Sequence, residues 1–178
     1  MIKKLALIIG FIICLSSCGK DYVYRIEGEL SNLEDQTVYA VFEKDNYKVV
    51  DTVVCTKPGQ FQIDQNEAGF HCVTIFFADK EHWVTAYLEP GETVKITGDA
   101  NSPLLLQVKG GRTNDKLTAF KKKIAPLLTE LTNLSNSLNS KDLNDTIEET
   151  DIAARLANVN MQLSEEAIRY VKENPDEE

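Results

Sequence analysis

Cysteine and histidine are the side chains of this chain best suited to redox, nucleophilic or metal chemistry, and the sequence contains four cysteines and two histidines. Cys55 and Cys72 do not have the Cys-x-x-Cys spacing that marks a redox dithiol or a zinc knuckle. His71 and His82 have no carboxylate at a spacing that would complete a metal site. Gly110-Gly111 lacks the Lys-Ser/Thr of a phosphate-binding loop. We therefore predict no catalytic, cofactor-binding or metal-binding residues.

Cys18 is the residue to which a definite chemistry can be assigned, and that chemistry is the attachment of lipid. It ends the tetrapeptide Leu15-Ser16-Ser17-Cys18, and two lysines precede eleven apolar residues that end at Leu15. A run of this length is typical of a signal peptide, whereas a membrane-spanning helix takes about 20 apolar residues. We predict a lipoprotein signal peptide over 1–17 and a lipidated N-terminus and linker over 18–21. The alternatives are a short transmembrane anchor or a signal peptide that is cleaved elsewhere.

The charge of the chain excludes several classes of partner. Removal of residues 1–17 takes away two lysines, so the formal net charge of −9 becomes −11. Binding of nucleic acid needs basic side chains that neutralise phosphates, and attraction to anionic lipid needs a basic surface. We therefore expect no nucleic acid partner, and we expect the membrane to be bound through the lipid on Cys18. Each buried methylene of an acyl chain contributes about 0.8 kcal/mol to such binding.

Cys55 and Cys72 remain in the predicted mature chain, each within an apolar segment that resembles a strand. Secretion would expose them to an oxidising compartment, in which disulfides persist. We favour two buried thiols on separate strands, and a disulfide between Cys55 and Cys72 is the alternative. Loop entropy predicts that such a bridge would stabilise the fold by roughly 3 kcal/mol.

Residues 22–110 are predicted to form an all-β antiparallel sandwich of about eight strands. Short runs of alternating apolar and polar residues recur at intervals of about 8–12 residues, with Pro-Gly and Asp-Asn turns between them. No gap between the strands is long enough for a crossover helix, so parallel pairs are not expected. The alternation assigns nine residues to the inward faces: Phe61, Ile63, Phe76, Val84, Leu88, Val94, Ile96, Leu106 and Val108.

A C-terminal α-helical hairpin is predicted over residues 112–174. The apolar period changes there from two to 3.5 residues, and the two helices cover about 113–139 and 146–173. A short polar loop joins them, which favours an antiparallel pair. Residues 175–178 are predicted to form an acidic tail.

The first helix carries a heptad seam that could pack within the chain or against another protein. Thr113 or Asn114 is expected to cap this helix, and Pro126 is expected to kink it. We favour packing of the seam within the chain, and a homodimer or a protein partner is the alternative. The seam consists of Leu117, Phe120, Ile124, Leu127, Leu131, Leu134 and Leu138.

Aromatic residues cluster in two of the predicted strands. Phe76, Trp83 and Tyr87 could line a groove for a small ligand, although core packing is the favoured interpretation. Glu89 and Glu92 flank a Pro-Gly turn in the same region, and both are expected to be solvated.

An ordered set of short motifs follows the Cys18 tetrapeptide: Tyr24-Arg25-Ile26-Glu27-Gly28, Val50-Asp51-Thr52-Val53-Val54, Gly59-Gln60-Phe61, Leu88-Glu89-Pro90-Gly91-Glu92, Ile96-Thr97-Gly98-Asp99 and Lys109-Gly110-Gly111-Arg112-Thr113-Asn114-Asp115. With this set, residues 22 to about 120 resemble the β-sandwich domain of unknown function 4369. That domain precedes a thioredoxin-like domain in many lipoproteins of Bacteroidetes-type bacteria. The resemblance implies the order lipid anchor, sandwich, helical linker and thiol–disulfide oxidoreductase.

The resemblance also implies a location and a modification. It places the protein in a Gram-negative cell envelope, and Gly19-Lys20 lacks the acidic run of surface-exported proteins, which favours the periplasmic side of the outer membrane. Such bacteria O-glycosylate secreted proteins at an Asp-Ser/Thr-apolar tripeptide, so Thr146 within Asp145-Thr146-Ile147 is a candidate site. The Trp-Cys-x-x-Cys motif of the oxidoreductase is absent from these 178 residues, so no catalytic residue is carried over.

These observations predict a non-catalytic, membrane-anchored envelope lipoprotein that acts as a protein-interaction or positioning module. The first alternative is the N-terminal accessory part of a thioredoxin-like thiol–disulfide oxidoreductase whose catalytic domain is missing. The second alternative is a sandwich that binds a small ligand.

Overall fold

The strands come first and the helices last, in the order that the sequence predicts. The structure, a computed structural model, describes residues 22–34, 37–139 and 146–175. In these residues the strands are β1 Tyr24–Ser31, β2 Thr37–Lys44, β3 Tyr47–Val54, β4 Gln60–Gln65, β5 Cys72–Phe76, β6 Trp83–Tyr87, β7 Thr93–Asp99 and β8 Gln107–Lys109. The helices are a short 3-10 helix at Pro103–Leu105, α1 Arg112–Lys123, α2 Ala125–Asn139 and α3 Thr146–Glu173.

The strands form two four-stranded sheets. Sheet 1 has the strand order β4-β1-β7-β8, and sheet 2 has the order β3-β2-β5-β6. Neighbouring strands are antiparallel except for β1 and β7, which run parallel with Ile26 beside Val94 and Gly28 beside Ile96. The prediction that no parallel pair would form is therefore wrong. A crossover helix is not needed, because the chain between β1 and β7 passes through the four strands of sheet 2 and through β4.

One hydrophobic cluster draws its side chains from both sheets. Eight of the nine residues predicted to face inward are buried, and Phe76 is the exception. In β5 the side chains of Val73 and Ile75 point inward, so Phe76 points outward and the next residue, Phe77, is buried. The error follows from the period of two, because a shift of one residue exchanges the two faces of a strand.

Helix α1 binds an edge strand of each sheet through two buried polar side chains. Asn114 Oδ1 accepts the backbone N–H of Tyr87 at 2.9 Å, and its Nδ2 donates to the Tyr87 carbonyl at 2.7 Å. Thr118 Oγ1 accepts the N–H of Val108 at 3.0 Å and donates to the Val108 carbonyl at 2.5 Å. Tyr87 belongs to β6 and Val108 to β8, which are edge strands of different sheets. Because residues four apart share a helix face, one face of α1 forms hydrogen bonds with both edge strands.

Helix α1 begins at Arg112, so the predicted caps Thr113 and Asn114 lie inside the helix. The N-cap residue is Gly111, and Glu89 Oε1 accepts the N–H of Arg112 at 2.9 Å. This contact corrects the expectation that Glu89 is simply solvated. Gly111 has a φ of 81°, and a Cβ there would lie 2.8 Å from Glu89 Oε1, so this approach depends on glycine. The cap comes from a residue distant in sequence, which local spacing does not indicate.

The described residues contain three α-helices after the sheets, instead of the predicted hairpin of two. The predicted first helix is divided at Ile124, two residues before Pro126. Proline has no N–H and its ring crowds the carbonyl four residues earlier, which explains the break. The hydrophobic cluster between α2 and α3 consists of Leu127, Leu131, Leu134, Leu138, Ile152, Leu156, Val159 and Leu163.

Helix α3 also contacts α1. The Phe120 and Tyr170 rings have centroids 4.6 Å apart, and Lys123 Nζ lies 3.3 Å from Glu166 Oε2. At 28 residues, α3 is nearly twice as long as α2, which allows it to span both preceding helices. The three helices are therefore linked to one another, and α1 links them to the sheets.

The Asn114→Ala substitution is expected to destabilise the fold. It removes the side chain that bonds to both backbone groups of Tyr87, at a position that is 2% exposed. Because these groups would stay buried without partners, we expect the free energy of unfolding to fall by about 3 kcal/mol. Urea unfolding followed by circular dichroism measures this change.

The matched control is Asn136→Ala, which removes an exposed asparagine from α2. We expect it to change the free energy of unfolding by no more than about 0.5 kcal/mol. Equal unfolding midpoints for the Asn114→Ala and Asn136→Ala proteins would contradict the assignment of α1 docking to Asn114.

Candidate interaction surface

The outer face of sheet 1 is polar, and it contains two ion pairs. Arg25 donates two hydrogen bonds to Asp64, at 2.7 and 2.8 Å, and Lys95 Nζ lies 3.7 Å from Glu27 Oε2. The hydrogen bond from Arg25 keeps the pKa of Asp64 below its ordinary value. Such a face is stable in contact with water.

The outer face of sheet 2 carries a group of apolar side chains among several threonines, and we call this group the aromatic face. The strand register places Tyr39 of β2 beside Phe76 of β5, and Phe76 beside Trp83 of β6. Three aromatic side chains therefore lie in one row across three strands. The aromatic face consists of Tyr39, Val41, Val50, Phe76, Trp83 and Tyr87.

Much of the aromatic face is accessible. Val50 is 65% exposed, Trp83 53% and Tyr87 43%, while Tyr39 and Phe76 are half-buried. Exposed apolar side chains grouped on one face are typical of interaction sites in folded proteins, and tryptophan and tyrosine are enriched at the centres of interfaces. The aromatic face is therefore the candidate functional site.

Contacts within the aromatic face hold its central side chains in place. The Phe76 and Trp83 rings have centroids 6.1 Å apart, at an interplanar angle of 39°. Lys80 Nζ lies 5.2 Å from the centroid of the Tyr39 ring, within the range of a cation–π contact. This arrangement offers a partner a row of rings that is already partly ordered.

Charged residues lie where β2 turns into β3, with Glu43 and Lys48 on the outer face of sheet 2 and with Lys44 and Tyr47 on its inward side. Lys48 Nζ lies 2.6 Å from Glu43 Oε1. Glu67 accepts hydrogen bonds from the Tyr47 hydroxyl and the Lys44 ammonium, which lower the pKa of Glu67. The bond to Glu67 raises the pKa of Lys44 in turn. Because these charges are balanced within the chain, a partner would chiefly contact the exposed apolar side chains.

Cys55 and Cys72 are both half-buried thiols and form no bond with each other in the described residues. Cys72 pairs with Glu43, near the C-terminal end of β2. Cys55 directly follows Val54 of β3, which pairs with Thr37 at the N-terminal end of β2. The separation along β2 is about 20 Å at a rise of about 3.3 Å per residue. A disulfide requires Cα atoms within about 7 Å, so the register excludes the alternative of a bridge.

His71 and His82 lie apart, and each contacts a single aspartate. His71 Nε2 lies 3.0 Å from Asp45 Oδ1, and His82 Nδ1 contacts Asp79. The bond with His71 lowers the pKa of Asp45. Within residues 22–34, 37–139 and 146–175, no three histidine, cysteine, aspartate or glutamate side chains form a group that could hold a metal ion.

The predicted signal peptide and the lipidation site Cys18 lie outside the described residues. Thr146, the candidate glycosylation site, is the first residue of α3. Among the helices that the structure describes, none has the length and apolar composition of a membrane-spanning segment. Lipidation and glycosylation stay predictions.

The heptad seam is used mainly within the chain. Leu134 is buried, and Leu127, Leu131 and Leu138 pack beside it against α3. Phe120 contacts Tyr170 near the C-terminal end of α3. A role of the seam in binding a second copy or another protein stays a prediction.

The sequence pattern predicted neither the docking of α1 through Asn114 and Thr118 nor the outward direction of Phe76. Asn114 and Thr118 are four residues apart and lie beside the apolar Leu117. That spacing places two polar groups on a helix face that also carries seam residues, and it could have indicated a buried polar pair.

Alkylation of Cys72 is expected to begin at a higher pH than alkylation of the same cysteine in the unfolded chain. Burial raises the pKa of the Cys72 thiol, and the carboxylate of Glu43 contributes in the same direction. A raised pKa lowers the thiolate fraction at a given pH, and thiolate is the reactive form. Iodoacetamide labelling over a pH series, with peptide mass spectrometry in buffer and in urea, measures the shift. Identical pH profiles for Cys72 in buffer and in urea would contradict this assignment.

Comparison with known proteins identifies the family of the strand region. The family described as Domain of unknown function (DUF4369) matches residues 24–117, which are a little over half of the chain. No curated protein and no solved structure matches the chain. The matched residues begin at the first residue of β1 and include Asn114, so they contain both sheets and the start of the helix that docks on them. The chain therefore belongs to the DUF4369 family.

Proposed function

We propose that this protein is a non-catalytic envelope lipoprotein whose β-sandwich binds a partner protein through the aromatic face. The observation that supports this proposal most strongly is the exposure of Val50, Trp83 and Tyr87 on one sheet face. The opposite outer face, on sheet 1, is polar and needs no cover. This difference between the faces favours a binding role for sheet 2.

The composition of β2 and β5 supports the same proposal. The inward positions of both strands are apolar, and the outward residues Tyr39, Val41 and Phe76 are apolar as well. Strands of this composition are typical of sheets that are covered on both sides. A partner that covers Val41 and Phe76 would bury apolar surface at about 25 cal/mol per Å². The partner we propose is a protein with a flat apolar patch, because the strands offer a broad face.

Lipid on Cys18 would keep this binding surface close to the membrane. Tyr24, the first residue of β1, is the sixth residue after Cys18. Such a segment spans at most about 20 Å, since an extended chain covers about 3.3–3.6 Å per residue. A partner would therefore be held near the membrane surface. We propose the periplasmic side of the outer membrane as the location.

The small-ligand alternative is favoured by the pairing of Trp83 with Phe76. An exposed tryptophan beside a second ring can stack on a planar or sugar-like group. Trp83 is the one tryptophan of the chain, so its fluorescence reports on the aromatic face alone. Titration of the protein with sugars, lipids and peptides would show a spectral change for a ligand of this face, and an unchanged spectrum would remove this alternative.

Crosslinking from the aromatic face is expected to capture one discrete partner. A photoreactive amino acid at Val50 or at Thr85 of the full chain, expressed in its own cells, should yield the same adduct. The same group at Gln62, on the outer face of sheet 1, is the matched control and should yield none. Adding Trp83→Asp should lower the yield from Val50 about tenfold or more, because aromatic anchors dominate interfaces. Equal adducts from Gln62 and Val50 would contradict the proposal.

The Cys18→Ser substitution is expected to abolish membrane attachment. Without the thiol, no lipid can be added, so processing at this site should fail. Fractionation of cells and mass spectrometry of the N-terminal peptide measure both effects. Cys55→Ser is the control and should leave attachment unchanged. A Cys18→Ser protein that keeps the parent's processing and its place in the membrane fraction would refute the anchor.

A further inference from the structure

Helix α3 carries a second row of small and apolar side chains, on the side that faces away from α2. Met161 lies about 200° around the helix from Val159, which packs on α2. All members of the second row are exposed, and Met161, Ile168 and Val171 are 55%, 55% and 66% exposed. We call this the outer row, and it consists of Ala154, Ala157, Met161, Ser164, Ile168 and Val171.

We propose that the outer row is a self-association surface, through which α3 packs antiparallel against α3 of a second copy. The spacing of the row is 3-4-3-4-3, which is the heptad spacing of helices that pack along their length. The spacing is the same when it is read backwards. An antiparallel copy therefore brings every member of the row opposite a member of the other copy's row.

The sizes of the side chains fit the antiparallel arrangement. It places Val171 opposite Ala154, Ile168 opposite Ala157, and Met161 opposite Ser164 of the second copy. Each layer then contains one large and one small side chain, so the two helices can approach evenly along their length. A parallel pair would instead place small residues together at one end and large residues at the other, which leaves a wedge-shaped gap.

The charges beside the outer row also fit. Lys172 directly follows Val171 of the row, and Asp151 directly follows Thr150, where the same spacing continues four residues before Ala154. The two charges lie on the same side of the row, toward opposite ends of α3. The antiparallel arrangement places Asp151 of each copy beside Lys172 of the other, and Glu165 beside Asn158. Neither Asp151 nor Lys172 forms an ion pair with another described residue. Two-fold symmetry requires a surface that is complementary to itself, and this pattern of size and charge has that property.

Charge exchange at the two ends of α3 tests the proposal. The full chain, extracted in detergent, is analysed by sedimentation over a concentration series. Asp151→Lys or Lys172→Asp alone should raise the dimer dissociation constant about tenfold, because each puts like charges together at both ends of the interface. The double variant Asp151→Lys/Lys172→Asp restores opposite charges and should return the constant to within about twofold of the parent.

The control is Glu149→Lys, which makes the same charge change at the same end of α3 but lies about 200° around the helix from Asp151. It should leave the dissociation constant unchanged. A chain that stays monomeric at every concentration overturns the proposal. A dimer that tolerates Asp151→Lys as well as it tolerates Glu149→Lys overturns it too, because its interface must then lie elsewhere.

Mixed disulfides test the direction of the helices independently. Two full-length copies with different tags are expressed together, one with Ala157→Cys and one with Ile168→Cys. An antiparallel pair should crosslink these copies to each other. Two copies that both carry Ala157→Cys should crosslink no more than the parent chain, since these positions lie about 16 Å apart along the antiparallel pair. Crosslinking of the second combination alone would show a parallel pair and overturn the proposal.

Discussion

Helix α1 joins the two sheets because Asn114 and Thr118 hydrogen-bond to the backbone of one edge strand from each. Both side chains are nearly inaccessible to solvent, so loss of either would leave buried polar groups without partners. Helix α2 follows α1 after a single residue, and α3 packs along α2. The position of the whole helical segment relative to the sheets therefore depends on two side chains of one helix face.

The two outer sheet faces differ in polarity after α1 has docked. The face of sheet 1 is polar and contains ion pairs such as that between Arg25 and Asp64. The face of sheet 2 presents Trp83 and Val50 to the surroundings. Helix α1 contacts sheet 2 at its β6 edge, through Tyr87. The outer face of that sheet is therefore not covered by α1. One outer face is therefore polar and stable in water, and the other leaves apolar side chains exposed.

The helical segment repeats the same division. One side of α3 completes a hydrophobic cluster with α2, and the other side carries the outer row with Met161, Ile168 and Val171 exposed. The protein thus has two separate apolar surfaces, one on a sheet and one on a helix. They differ in shape, because a sheet face is broad and a helix row is narrow. We propose different partners for them for that reason.

The sequence alone determined the features that depend on local periodicity. The alternation in the strands and the heptad seam indicated eight strands followed by helices, and the ordered motifs indicated the family. The alternation also placed four core residues on the inward faces correctly: Phe61, Ile63, Val94 and Ile96. Only the tertiary structure decided the parallel pairing of β1 with β7, because it depends on where a long connection returns. Likewise, the capping of α1 by Glu89 joins residues that are distant in sequence. The candidate surface belongs to this second group, since Tyr39, Phe76 and Trp83 become neighbours only when three strands pair in register. Periodicity is a property of neighbouring residues, whereas an exposed face is a property of the packed chain.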